Sequence, residues 1–314
     1  MNSTSASPRR SAAREMHALI LAGGFGRRLE PLTRRLFGEA VPKQFCRFGG
    51  ERSLLQRTID RLAPLAPATR VTVVVDQSQA ERARSQLARY DGLTLIEQPC
   101  DRGTAAGVLL PLTDLVARAP EAMVLLAASD HGIAGESAFL STLESARSAV
   151  RASSERIVLI AAEPDAATMD YGWIVRRGIA EGCSTPDAVV RFVEKPGSAE
   201  ASVLFASGCA VWNTMLLVAN ARTLLARFTQ QLPELTREFA ALIHRNAGVR
   251  GIERADYATL PAANFSADVL GPASGLSVLT LPASAGWTDL GTEARMRDWL
   301  ATKGGVRPQF AEAS

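Results

Sequence analysis

The chain has 314 residues, a formal net charge of +3, and is 47% hydrophobic and 21% charged. So small and dispersed a charge gives no basis for a nucleic-acid partner and suits a small anionic substrate, while the apolar fraction is ample for a core. Its four cysteines, Cys46, Cys100, Cys183 and Cys209, are widely spaced with no Cys-x-x-Cys or Cys-His grouping, which argues against a disulfide framework or a zinc site and fits a reducing cytoplasm.

Residues 1–16 are polar, lack the apolar stretch of a secretory signal, and read as a disordered leader. No apolar run approaches the ~18 residues that cross a bilayer, so no membrane partner is expected. Strands are then expected at 17–22, 71–75, 93–96 and 123–127, with helices over 53–62, 77–88 and 104–117 between them. This alternation is the arithmetic of βαβ units and predicts an α/β fold with a doubly wound, mostly parallel, Rossmann-like sheet. Right-handed crossovers place the carboxyl ends of parallel strands on one edge, so the loops at Gly23, Glu97 and Ser129 are expected to meet there and hold the ligand. Past residue 150 the pattern changes to strands at 157–162, 173–177 and 189–194, read as an extension of the sheet. Helices over 219–228 and 234–245, a strand at 276–281 and a helix over 293–300 follow, and the tail 302–314 is expected to fray.

The first strand runs directly into Gly23-Gly24-Phe25-Gly26, then Arg27 and Arg28, and later Pro42-Lys43. Glycines without a Cβ let bare backbone N–H groups approach a polyphosphate. A Walker A loop is excluded because Arg27-Arg28-Leu29, not Gly-Lys-Ser/Thr, follows Gly26. A dinucleotide fingerprint is excluded because Leu29 stands where a third small residue belongs and the next strand, ending at Asp76, comes too late.

Gly23, Gly24, Gly26, Arg28, Leu29, Pro31, Leu32, Pro42 and Lys43 together resemble the signature of the sugar-1-phosphate nucleotidyltransferases. The continuation Gln44-Phe45 is similar to the mannose-1-phosphate guanylyltransferase branch. The resemblance spans about 17–299 and implies a glycosyltransferase-A-like catalytic domain over 17–301, with a nucleotide-binding half (17–150) and a sugar-binding half (151–301). It implies GTP and mannose 1-phosphate as substrates, GDP-mannose and pyrophosphate as products, and Mg2+ as cofactor; oligomeric state stays open, with a homodimer one option.

The resemblance also implies roles for particular residues. Arg28 and Lys43 are the expected catalytic cations, suited to neutralising phosphate charge as it builds. Arg27, Arg34 and Arg35 read instead as a solvated face. Ala22, Gly23, Gly24 and Gly26 are expected around the nucleotide, with Gln98, Gly103 and Thr104 from the segment after the third strand; Thr104 is equally readable as a helix N-cap. Asp130, at the carboxyl end of a strand, and Asp289, in Gly-Trp-Thr-Asp-Leu-Gly, are the expected metal ligands. His131 is as readable as a structural histidine as a catalytic one. The sugar phosphate falls to Tyr171, Gly172, Glu194, Lys195 and Asn213, with Met215 standing where many relatives have glycine. Two alternatives stay open: a thymidylyl- or uridylyltransferase acting on glucose 1-phosphate, and a non-catalytic homologue that binds a nucleotide sugar.

Overall fold

The computed structural model describes residues 15–178, 185–246 and 248–302. Most of the leader, most of the tail and Cys183 lie outside them. The expected leader ends too late: Met16 opens the first strand, and Glu15 accepts a hydrogen bond from the Met123 N–H at 3.1 Å and pairs with Arg70 at 3.0 Å.

Among the described residues nine strands form one sheet: β1 Met16–Leu21, β2 Val71–Asp76, β3 Thr94–Gln98, β4 Met123–Ala128, β5 Ile157–Ala162, β6 Trp173–Arg176, β7 Asp187–Val193, β8 Ala210–Asn220 and β9 Leu276–Leu281. The helices are α1 Glu30–Phe37, α2 Leu54–Leu62, α3 Ala80–Leu87, α4 Gly103–Arg118, α5 Glu136–Ala152, α6 Ser198–Ala206, α7 Ala221–Gln231, α8 Pro233–Arg245, α9 Arg254–Tyr257 and α10 Glu293–Thr302. Among the described residues no helix is long and apolar enough to cross a membrane.

The order is β3-β2-β1-β4-β8-β5-β9-β7-β6. Strands β3, β2, β1 and β4 are mutually parallel, as expected, and β5 is parallel to β9. Elsewhere the sheet is more mixed than the sequence suggested. The long strand β8 enters antiparallel between β4 and β5 and also pairs with β6, so the pairings β5–β8–β6–β7–β9–β5 close on themselves. The helix expected over 219–228 begins only at Ala221, because Asn220 ends β8 and its Oδ1 accepts from the N–H groups of Arg222 and Thr223 at 3.0 and 3.4 Å.

Both faces of the sheet are covered, which is why β2, β4 and β5 are nearly continuous apolar runs. On one face Ile20, Val73 and Leu125 pack with Leu55 and Ile59 of α2 and Leu143 of α5. On the other, Leu19, Val124 and Leu126 meet Leu109 of α4, Phe228 of α7 and Phe239 of α8. A capping box fixes the start of α2, with the Gln56 N–H donating to Ser53 Oγ at 3.2 Å and the Ser53 N–H donating to Gln56 Oε1 at 3.1 Å.

Candidate active site

The carboxyl edge of β1 is where the chain turns. Ala22 still pairs with β2 through its N–H to Val74 O at 2.8 Å, and Gly23 then passes so close to Asp76 that a Cβ would sit 3.3 Å from its backbone nitrogen. Gly26 takes a left-handed conformation (φ 61°) that admits glycine freely, and α1 follows with Pro31 in its first turn. Buried Gln44 holds the loop from beneath: its Nε2 donates to Ala22 O at 2.9 Å, Gly24 O at 2.6 Å and Gln79 Oε1 at 3.0 Å. Gln79 in turn donates to Gly23 O at 3.3 Å. With the carbonyls engaged, the N–H groups of Gly23 to Gly26 have no protein acceptor among the described residues. Backbone donors so arranged suit an anion.

A cavity of about 540 Å3 opens beside this loop, lined by Gly23, Gly24, Asp76, Gln98, Gly103 and Thr104 among others. Gly103 (φ 81°) lies against the backbone of Ala263, where a Cβ would meet the carbonyl oxygen at 2.2 Å. Thr104 is not the helix N-cap, a position held by Arg102; its hydroxyl accepts from the Phe265 N–H at 2.8 Å and pins the 260s loop to α4.

On the same edge the cations and carboxylates converge. Lys43 Nζ stands 3.1 Å from Asp130 Oδ2 and donates to the Asp289 carbonyl at 2.6 Å. Arg28, with a mostly exposed side chain, lies 3.5 Å from Asp170 and 3.9 Å from Asp289 Oδ2. The loops carrying the carboxylates are locked together, since Gly132 and Thr288 exchange backbone hydrogen bonds of 2.8 and 3.0 Å. Asp289 Oδ1 accepts from Tyr171 Oη at 2.7 Å, Gly291 N at 3.0 Å and Arg295 Nη1 at 3.1 Å. Burial alone would raise the Asp289 pKa, but these donors and Lys43 outweigh it and hold the carboxyl below its ordinary value. Tyr171 is pushed up, first by burial and then by the Asp289 carboxylate. His131 Nδ1 accepts from Trp287 Nε1 at 3.2 Å, and burial, with Lys43 adding to it, lowers the histidine's pKa.

The expected sugar side is built around aromatic rings. Tyr171 packs edge-on against Trp212 and Trp287 at centroid distances of 4.8 and 5.7 Å. Gly172 lies under Glu194, where a Cβ would meet Oε2 at 2.7 Å, and burial raises the Glu194 pKa. Asn213 donates its backbone N–H to Gly172 O at 2.8 Å and its side-chain Nδ2 to Ser266 Oγ at 3.3 Å. Lys195 is exposed, and its backbone is left-handed (φ 46°), as are those of half-buried Met215 (φ 58°) and buried Leu290 (φ 50°). Met215 therefore keeps a glycine-type backbone at a break in the β5–β8 register, between Ile160–Leu216 and Ala161–Asn213.

Of the residues picked from the sequence, Lys43, Asp130, Asp289, Arg28 and Tyr171 form one connected group, and Gly23, Gly24, Gln98, Gly103 and Thr104 line the adjoining cavity. Arg34 and Arg35 pair with Glu30 and Glu293 at 2.8 and 2.7 Å on the exposed face expected for them. Sequence reasoning passed over Gln44, Gln79, Asp76, Asp170 and Arg295. Gln44 alone carried a signal, being part of Pro-Lys-Gln-Phe. Cys46 beside it is buried, which pushes its thiol up to about 12 and disfavours the thiolate.

A divalent cation suits the donor set. Asp130 Oδ1 and Asp289 Oδ2 accept no hydrogen bond among the described residues, and no third His, Cys, Asp or Glu joins them there. One or two carboxylates completed by water and phosphate is the Mg2+ pattern rather than a full protein cage.

The fold and the loop motifs define a nucleotide-transferring α/β protein, and the comparison with known families agrees. The nucleotidyl transferase family matches residues 17–301, and the chain belongs to that family. It is 31% identical over 287 residues to mannose-1-phosphate guanylyltransferase RfbM of Salmonella typhimurium (strain LT2), covering 89% of this chain and 58% of that one. Xanthan biosynthesis protein XanB of Xanthomonas campestris pv. campestris is 30% identical over 285 residues, with the same coverages. The chain thus spans 58% of the length of these curated relatives. Among solved structures, one from Thermus thermophilus named mannose-1-phosphate geranyltransferase superposes with a TM-score of 0.74 at 27% identity, covering 91% of this chain and 79% of that one.

Proposed function

We propose that the chain transfers a guanylyl group from GTP to mannose 1-phosphate, forming GDP-mannose and pyrophosphate with Mg2+ as cofactor in the cytoplasm. The observation that carries the reading is Lys43 bridging the Asp130 carboxylate and the Asp289 backbone beside a cavity bordered by unpaired glycine-loop N–H groups. The names of the relatives support guanosine and mannose over other pairs.

In this reading a phosphate oxygen of mannose 1-phosphate attacks the α-phosphorus of GTP. The bond from that phosphorus to the bridging oxygen of the β-phosphate breaks, and pyrophosphate leaves. Such transfers are accelerated by positioning and charge neutralisation more than by covalent help. The N–H groups of Gly23 to Gly26 receive the phosphates, with Ala22 anchoring the loop to β2. Gln98, Gly103 and Thr104 contact the nucleoside. Arg28 exchanges its carboxylate partners for the departing pyrophosphate, and Lys43 meets the α-phosphate and the attacking phosphate. Asp130 and Asp289 hold Mg2+, which when bound supplies further neutralisation of the phosphates. Gly172, Glu194, Lys195 and Asn213 bind the sugar phosphate, Glu194 accepting from its hydroxyls.

The test is pyrophosphate release with Mg2+, crossing GTP, ATP, UTP and dTTP against mannose 1-phosphate and glucose 1-phosphate. Release confined to GTP with mannose 1-phosphate is the expected result. Release with another pair moves the substrate and keeps the chemistry, while nucleotide binding without release from any pair makes the chain a non-catalytic homologue.

A further inference from the structure

Asp289 is held asymmetrically. Three donors converge on Oδ1: the Tyr171 hydroxyl, the Gly291 N–H and Arg295 Nη1, at 2.7, 3.0 and 3.1 Å. Among the described residues Oδ2 has only the Arg28 guanidinium, at 3.9 Å. Arg295 also donates to the Tyr171 hydroxyl, and its guanidinium carbon lies 4.8 Å from the centroid of the Tyr171 ring. That chain of donors ties α10 to the segment before β6 and fixes the rotation of the carboxylate. Tyr171 is buried, so its hydroxyl is committed to Asp289 rather than offered to a sugar.

We propose that Tyr171 and Arg295 are positioning residues for the divalent cation: by saturating Oδ1 they make Asp289 a one-oxygen ligand through Oδ2. This rests on the reading of Asp130 and Asp289 as the cation's ligands. The consequence is selectivity. Mg2+ demands near-octahedral geometry and takes carboxylates through single oxygens, whereas Ca2+ accepts bidentate carboxylates and more ligands. A carboxylate free to turn and bind through both oxygens favours the larger ion. Groups that orient a ligating carboxylate typically change metal affinity by about 10–100-fold when removed.

The experiment titrates Mn2+ into the full chain, followed by electron paramagnetic resonance, with Mg2+ and Ca2+ as competitors. It compares the unsubstituted protein with Tyr171→Phe, Arg295→Lys and Asp289→Asn. Tyr171→Phe removes one oxygen and keeps the ring packed on Trp212 and Trp287, so thermal unfolding is expected to change little. The expected result is loss of the tight Mn2+ site in Asp289→Asn, with Mg2+ competition weakened about tenfold relative to Ca2+ in Tyr171→Phe and Arg295→Lys. An unchanged Mg2+ to Ca2+ ratio in Tyr171→Phe, with the site lost in Asp289→Asn, overturns the positioning role and leaves the metal reading standing. Unaltered Mn2+ binding in Asp289→Asn overturns both.

Discussion

Gly132 and Thr288 exchange backbone hydrogen bonds of 2.8 and 3.0 Å, and this bridge helps to hold Asp130 and Asp289, far apart in the chain, in fixed register. The approach leaves no room for a side chain at Gly132, where a Cβ would lie 2.7 Å from the Trp299 ring and 2.8 Å from the Thr288 methyl. Gly132→Ala is expected to cost about 1–3 kcal/mol by overpacking. Turnover should fall along with stability, because the two carboxylates shift apart. Urea unfolding and initial rates measured on the same samples test this; full activity in a destabilised variant would show that the bridge is only structural.

The glycine loop depends on one buried amide. Gln44→Glu keeps the shape but sets a carboxylate against the oxygens of Ala22, Gly24 and Gln79. An unpaired buried charge costs about 3 kcal/mol or more, and the loop must move to relieve it. The expected outcome is a large drop in the urea midpoint together with weakened GTP binding by calorimetry. A variant binding GTP as the native chain does would detach Gln44 from the loop's function.

His131 makes stability depend on pH. Its folded pKa is lowered from 6.5, by burial first, so below that value the unfolded chain takes up a proton that the folded chain refuses. Stability is therefore complete above 6.5 and is lost as pH falls toward the folded pKa, at up to about 1.4 kcal/mol per pH unit. Protonation would also set an N–H of the ring against the Trp287 N–H that Nδ1 now accepts. His131→Asn, whose side-chain oxygen replaces that acceptor, is expected to flatten the slope between pH 7.5 and 5.5. His17 shifts in the same direction and contributes equally to both proteins, so the difference between them isolates His131.

Met215 sets two effects against each other. A side chain in the left-handed region costs about 1–2 kcal/mol. Met215→Gly removes that strain but loses the thioether contact with Ser266 at 3.1 Å and adds freedom to the unfolded chain, worth about 0.5–1 kcal/mol. We expect the glycine variant to lie within about 1 kcal/mol of the native chain, and Met215→Val, β-branched at positive φ, to lose about 2 kcal/mol or more. Thermal melts of both decide it, and an intact valine variant would mean that the backbone relaxes.

The parallel strands β1 to β4 and the loops at their carboxyl ends were legible because buried apolar runs and glycines report local constraints. Strand β8 was not. Asn213 and Thr214 interrupt its apolar pattern where the register breaks, and its last residues, at 219–220, read as the start of a helix. Lys43, Asp130 and Asp289 were picked out by the motifs that carry the family resemblance. Nothing local marked Arg295 or Gln79, whose importance comes from partners 124 and 35 residues away. Thr104 was legible as a hydroxyl near a helix start, but its partner, Phe265, was not.

Strand β8 has a consequence for how the chain is made. It covers an edge of β4 and an edge of β5, segments 123–128 and 157–162, which are uncharged and apolar. Bare strands of that kind recruit other chains. Both are synthesised before residues 210–220, so a nascent chain that has folded β4 and β5 presents two open edges until β8 arrives to pair with them.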